Sequence, residues 1–165
     1  MNTVVEDIEI KKNNFSKGLY LTFSVLSLLA FFISLNEPGN TKWISLAGLL
    51  LFGTGFWIAL KSSIRVVYDG FTIHDIGKSK FVAWKDITML DYSSHYHGHG
   101  VEMRLSISYG SPARKIELPV KQYNKQNMQR FFEILHQQCS FATKNDHFIK
   151  QATGEMNWKD KLKMY

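Results

Sequence analysis

A single cysteine, Cys139, in 165 residues leaves no intramolecular disulfide and no need for an oxidising compartment. Its neighbours are apolar, which suits a buried, inert thiol. There is no GxSxG, HExxH, P-loop or GxGxxG pattern, so no hydrolase, zinc-protease or nucleotide-cofactor signature is present. His136 lies three residues before Cys139, but a helix packed on a sheet is a poor place to present a nucleophile. The expectation is a protein that is not an enzyme and carries no cofactor. Proline occurs three times, and each instance punctuates: Pro38 between apolar runs, Pro112 in a turn, Pro119 at a strand end.

Charge is absent from two stretches, Leu19 to Leu35 and Trp43 to Leu60. Each has about 17 to 18 residues, near the lower limit for crossing a ~30 Å hydrocarbon core as a helix. Between them, Asn36-Glu37-Pro38-Gly39-Asn40-Thr41-Lys42 stops one helix and turns the chain. The pattern predicts a transmembrane helical hairpin over 18–61, after an N-terminal segment 1–17. Lys11, Lys12 and Lys17 resemble the basic region of a signal peptide. However, no small-x-small cleavage site follows, and a second apolar run comes at once. Small residues Ser27, Ala30 and Ser34 share one side of the first helix, and Gly48, Gly55 and Ala59 one side of the second. Facing stripes of this kind let helix backbones approach in lipid.

Lysine and arginine set the expected orientation. Lys11, Lys12 and Lys17 precede the first run, Lys61 and Arg65 follow the second, and the loop has only Lys42 with Glu37. Both termini are therefore expected in the cytoplasm. The net charge of +6 and a pI near 9.4 come from scattered bases. With a membrane segment present, membrane lipids or a protein are more economical partners than nucleic acid.

From residue 62 the apolar period becomes two, the mark of strands. Ile64–Tyr68 and Phe71–Ile76 flank Asp69-Gly70, a strong hairpin signal. Phe81–Trp84 and Ile87–Tyr92 follow. Val101–Tyr109 alternates most cleanly, and Ala113–Leu118 returns after Gly110-Ser111-Pro112. Asn124 is placed to cap a helix whose stripe is Met128, Phe131, Phe132, Leu135 and Cys139. The fold class is α+β: a membrane hairpin, an antiparallel partial barrel over 62–140 closed by an amphipathic helix, and a tail over 141–165.

Two apolar helices, a meander containing Trp84-Lys85-Asp86-Ile87, and a terminal helix together resemble the bacterial pleckstrin-homology-like (PH-like) membrane proteins. Within that group the layout is similar to small two-helix proteins of the STM type, several of which look like candidate immunity proteins. The resemblance covers roughly Leu19 to Cys139. It implies a bacterial inner-membrane location and a non-enzymatic protein-binding module or, alternatively, an immunity protein against a membrane-acting antibacterial toxin. Six strands are counted where that fold has seven: either one is hidden or the fold is only PH-like. The connection Asp69-Gly70 carries no base, so it does not supply the lipid-binding loop of lipid-binding PH domains. Lys78 and Lys80, one turn later, are candidates to face lipid or a partner, against an ordinary solvated turn.

His95, His97 and His99 alternate in Gly-rich surroundings, and neutral imidazoles on one side of an extended segment bind zinc, copper or nickel. The competing reading is a solvated loop in which Gly98 and Gly100 adopt unusual dihedrals. In the tail, Phe148, Ile149, Ala152 and Met156 fit a helical stripe weakened by Gly154. Trp158, Lys159, Lys161 and Lys163 mix aromatic and basic side chains suited to a lipid or partner surface, or to a frayed terminus.

Overall fold

The structure, a computed structural model, describes residues 7–35, 39–75, 77–97 and 100–157. The first element among the described residues is a short strand, β1 (Ile8–Lys11), and only Lys12 and Asn13 separate it from helix α1 (Asn14–Ser34). Helix α2 (Thr41–Lys61) returns antiparallel to it, and β2 (Ser63–Val67) begins after the single residue Ser62. Both helices have 21 residues, about 31 Å at 1.5 Å per residue. They are long and apolar enough to cross a membrane.

Their large apolar side chains point outward. Leu26, Leu29, Phe32 and Ile33 on α1, and Ile44, Leu50, Leu51 and Trp57 on α2, are all exposed. The core helices of a soluble domain would hide these residues. Between the helices, Phe23 stacks on Phe52 with centroids 5.0 Å apart. A Cβ on Gly48 would lie 3.0 Å from Ser27 Oγ, so these two small residues do meet. Gly55 faces the Tyr20 ring rather than another small residue. Ser34 and Ala59 are buried, whereas Ala30, assigned to the same stripe, is exposed. The helix approach rests on an aromatic seated over glycine as much as on matched small residues.

β1 pairs antiparallel with β2, from Ile8 opposite Val66 to Lys11 opposite Ser63. β3 (Gly70–Asp75) and β4 (Lys78–Ala83) complete a four-stranded sheet in the order β1-β2-β3-β4. The helical hairpin is thus the connection between two neighbouring strands. The N-terminal segment set apart at 1–17 contributes a strand to the domain, one not counted from sequence.

Trp84-Lys85-Asp86 forms one turn of 3-10 helix, and Ile87 starts the second sheet. The Trp84 indole donates to Tyr68 O at 3.0 Å, and its ring lies 5.6 Å from that of Phe71. This corner carries the chain from one sheet to the next. β5 (Ile87–His97), β6 (Gly100–Tyr109) and β7 (Arg114–Pro119) run antiparallel, with β5 five residues longer than expected.

Asn124 caps α3 (Lys125–Gln138), accepting from Gln126 N at 3.0 Å and Asn127 N at 3.2 Å. The stripe from Met128 to Cys139 is buried. Phe131 meets Phe71 of the first sheet edge-on at 5.2 Å, and Phe132 meets Tyr92 of the second at 5.1 Å. One helix face therefore joins both sheets in a single apolar core.

Part of the tail is ordered into the same core. β8 (Thr143–Lys144) runs parallel to β5, and α4 (Asp146–Ala152) buries Phe148 and Ala152. Asn145 joins them. Its Oδ1 accepts from Phe148 N and Tyr92 N, and its Nδ2 donates to Tyr92 O.

Candidate functional site

Where the helices meet the domain, no slack chain intervenes. Asn13 N donates to Gln122 O at 2.8 Å, and Asn13 Nδ2 donates to Lys121 O at 2.8 Å. Asn124 N donates to Lys11 O at 3.2 Å, and Lys12 forms an isolated bridge with Tyr123. On the α2 side, Ser62 N and Ser62 Oγ both donate to Ile58 O at 2.9 Å. The entry to α1 is thus stitched to the segment before α3, and the exit of α2 runs directly into β2.

Two cavities flank this junction, and Tyr123 lines both. The first, about 380 Å³, is lined by Lys12, Ser62, His74, Asp75, Lys78, Lys80 and Glu117 over apolar Ile73, Ile116 and Leu118. Lys78 and Lys80 alternate along β4, and Lys12, just beyond β1 at the opposite edge of the same sheet, lines the same cavity. Lys80 Nζ rests 4.9 Å from the centre of the Tyr109 ring. His74 Nδ1 lies 2.9 Å from Ser79 Oγ. Glu117 is committed elsewhere: Lys115 Nζ lies 2.8 Å and Arg104 Nη1 2.9 Å from its carboxylate. Hydrogen bonds from Lys115 first, then Arg104, hold that carboxyl below the usual carboxylate range. The second cavity, about 460 Å³, has an apolar floor of Tyr92, Met103, Met128 and Phe132, rimmed by Asn13, Lys121 and Lys125.

The histidine segment is placed differently from the loop expected. His95 and His97 belong to β5, opposite Glu102 and Gly100. His99 lies outside the described residues, as do Trp158, Lys159, Lys161 and Lys163. Among the described residues, no three His, Cys, Asp or Glu side chains come together as a metal set. β8 pairs with β5 only at Met89 and Leu90, and Asn145 covers Tyr92. Beyond it, Ser93–His97 has no strand partner on that side among the described residues. Tyr96 there is 76% exposed.

Cys139 is fully buried, with Sγ 3.9 Å from Trp84 O, and burial pushes its thiol up to about 12. His136 Nδ1 has no hydrogen-bond partner, and burial, then Lys144, lowers the imidazole from its ordinary value. A thiolate–imidazole pair is not assembled. A maleimide is therefore expected to leave Cys139 unmodified in the folded, detergent-solubilised protein and to label it fully in denaturant. Rapid labelling of the folded chain would contradict the burial that sets this thiol.

The junction cleft and the open β5 edge escaped sequence reasoning for one reason: both depend on which strands become neighbours. Comparison with protein-family models, curated proteins and solved structures gives no match.

Proposed function

We propose that this chain is a non-enzymatic, membrane-anchored PH-like module that binds another protein at the cytoplasmic face of a bacterial inner membrane. The observation that carries this reading is the edge of β5 from Ser93 to His97, which has no strand partner on that side among the described residues. An uncovered strand edge offers backbone donors and acceptors in register for an added strand from a partner. The PH-like assignment is supported by the four-stranded meander, the three antiparallel strands β5 to β7, and α3, with β1 supplying the strand missing from the sequence count.

Orientation follows from connectivity combined with charge. Because β1 and β2 are adjacent strands, both ends of the hairpin lie on one side of any bilayer it spans. The bases Lys11, Lys12, Lys17, Lys61 and Arg65 make that side cytoplasmic. An N-terminal reporter active only outside the cytoplasm is expected to stay silent.

The binding surface is tested by placing a photo-crosslinking residue at Tyr96 in the full chain, in cells. A discrete protein adduct is expected from Tyr96, and none from Lys85, which is exposed in the 3-10 turn and on no strand edge. No adduct at Tyr96, or the same adducts from both positions, would remove the β5 edge as the binding surface.

A further inference from the structure

The second cavity differs from the first in the charge of its walls. Among the described residues that line it there is no aspartate or glutamate, whereas the first has Asp75 and Glu117. Two lysines, Lys121 and Lys125, stand at its rim, and both are exposed. The rim's amides are matched to one another or to backbone. Asn13 Nδ2 donates to Lys121 O, and Asn124 Oδ1 accepts from the first turn of α3. Gln151 Nε2 donates to Gln129 Oε1 at 2.6 Å, and Gln129 Nε2 donates to Gln151 O at 2.8 Å. Lys121 Nζ donates to Val101 O at 3.1 Å, and an ammonium has three protons to give. Lys125 forms no ion pair among the described residues. The unmatched charge at the rim is therefore positive.

The floor is apolar. Tyr92 of β5, Met103 of β6, and Met128 and Phe132 of α3 are all buried in the core and supply it, with Val120 and Tyr123 beside them. A methionine side chain has three rotatable bonds and a polarisable sulfur, so two of them adapt to a flexible chain. The volume, about 460 Å³, lies within the ~300–1,000 Å³ of small-molecule sites. A cationic rim over an apolar, adaptable floor matches a ligand with one anionic head and one apolar chain. An uncharged apolar ligand would leave the lysines unmatched, and a small hydrophilic anion would leave the floor uncovered.

We propose that this cavity binds a single-chain organic carboxylate of medium length, with its apolar chain on Met103, Met128 and Phe132 and its carboxylate at Lys121 and Lys125. The site belongs to the folded domain and goes beyond the reading above: it requires neither a partner on β5 nor a bilayer around the helices. Its walls come from the entry to α1, the segment before α3, α3 itself and, through Gln151, α4. A bound chain would therefore join the ordered part of the tail to the junction with the helices.

Decanoate is the probe. The full chain, with its methionine methyl groups carbon-13 labelled, is titrated by NMR in nonionic detergent, and M103L and M128L assign the two resonances. Both are expected to shift and saturate, while Met89, exposed and outside the cavity, stays in place. Decyltrimethylammonium has the same chain length and the opposite charge, and acetate has the same head and no chain. Neither should saturate either signal over the same range. Affinity for decanoate should fall about tenfold in K121Q/K125Q, as for two charged contacts at an exposed rim, and about threefold in K125Q alone. It should be unchanged in K85Q/R114Q, which removes the same charge from exposed sites elsewhere. Shifts that never saturate, equal effects of the two charged amphiphiles, or undiminished affinity in K121Q/K125Q would overturn the site. Saturation by acetate would overturn the apolar chain as part of the ligand.

Discussion

Replacing Ile10 by alanine is expected to destabilise the β domain by about 2–5 kcal/mol, although the residue lies before the first membrane helix. Ile10 is fully buried, stands opposite Ile64 in the β1–β2 ladder, and belongs to the same apolar core as Phe71 and Phe131. Truncation removes methylenes from that core and leaves a cavity whose walls belong to strands fixed by their own ladders, so little collapse can offset it. Glu9, the next residue back, is exposed, and its replacement by alanine is expected to change stability by no more than ~0.5 kcal/mol. A domain of this size has only ~5–15 kcal/mol to lose. Denaturant titration of the full chain in detergent, read through maleimide capture of Cys139, measures both variants. If I10A and E9A are alike, β1 is not part of the fold.

This expectation depends on a strand whose pattern is present in the sequence but whose partner is not evident there. Ile8-Glu9-Ile10-Lys11 alternates in the manner of a strand, yet it is only four residues long and merges with the basic flank of an apolar run. Its partner, β2, lies beyond the whole hairpin, so no local period signals the pairing. The strands from β2 to β7 were legible because each pairs with its sequence neighbour across a short turn. The α3 stripe and its Asn124 cap were legible because both are written within one helix. The same distinction explains the candidate sites. Lys78 and Lys80 could be singled out as a pair, but Lys12 joins them only once β1 is in the sheet. The histidines stood out by composition, and the length of β5 moved His95 and His97 from a loop onto a strand. Asn145 gave no signal beyond being a polar residue near a short helix. Its three backbone partners belong to α4 and to Tyr92, 53 residues earlier.

Placing the anchor inside a β-connection has a mechanical consequence. A domain on a flexible linker samples all orientations, whereas here both helix ends continue as adjacent, hydrogen-bonded strands. With the hairpin spanning a bilayer, as proposed, the orientation of β5 relative to the membrane is inherited from the hairpin. This suits the proposed binding of a partner at one edge, since a pre-set orientation lowers the cost of ordering on binding.

Gly70→Ala is expected to be the more severe of two otherwise similar glycine substitutions, and for a reason different from the one its turn signal suggests. Asp69-Gly70 reads as a hairpin turn in which glycine supplies a positive φ. In the structure, Gly70 is instead the first residue of β3, and its φ is not positive. A Cβ there would lie 2.2 Å from Val82 O and 2.8 Å from Cζ of the Phe81 ring. The ring could swing aside, but the carbonyl belongs to the β3–β4 ladder, where Val82 is buried opposite Phe71. Moving it would also disturb the bond from Trp84 N to Asp69 O at 3.0 Å, which holds the corner between the sheets. Ordinary overpacking costs ~1–3 kcal/mol, and an obstacle made of ladder backbone places G70A at or above the top of that range. Gly77 supplies the contrast. It has φ +66° and nothing within 4 Å of a built Cβ, so G77A meets only the left-handed backbone penalty of about 1 kcal/mol. The same Cys139 capture assay ranks the two variants. The order G70A far below G77A supports close backbone approach as the constraint, and the reverse order would show that turn conformation governs both sites.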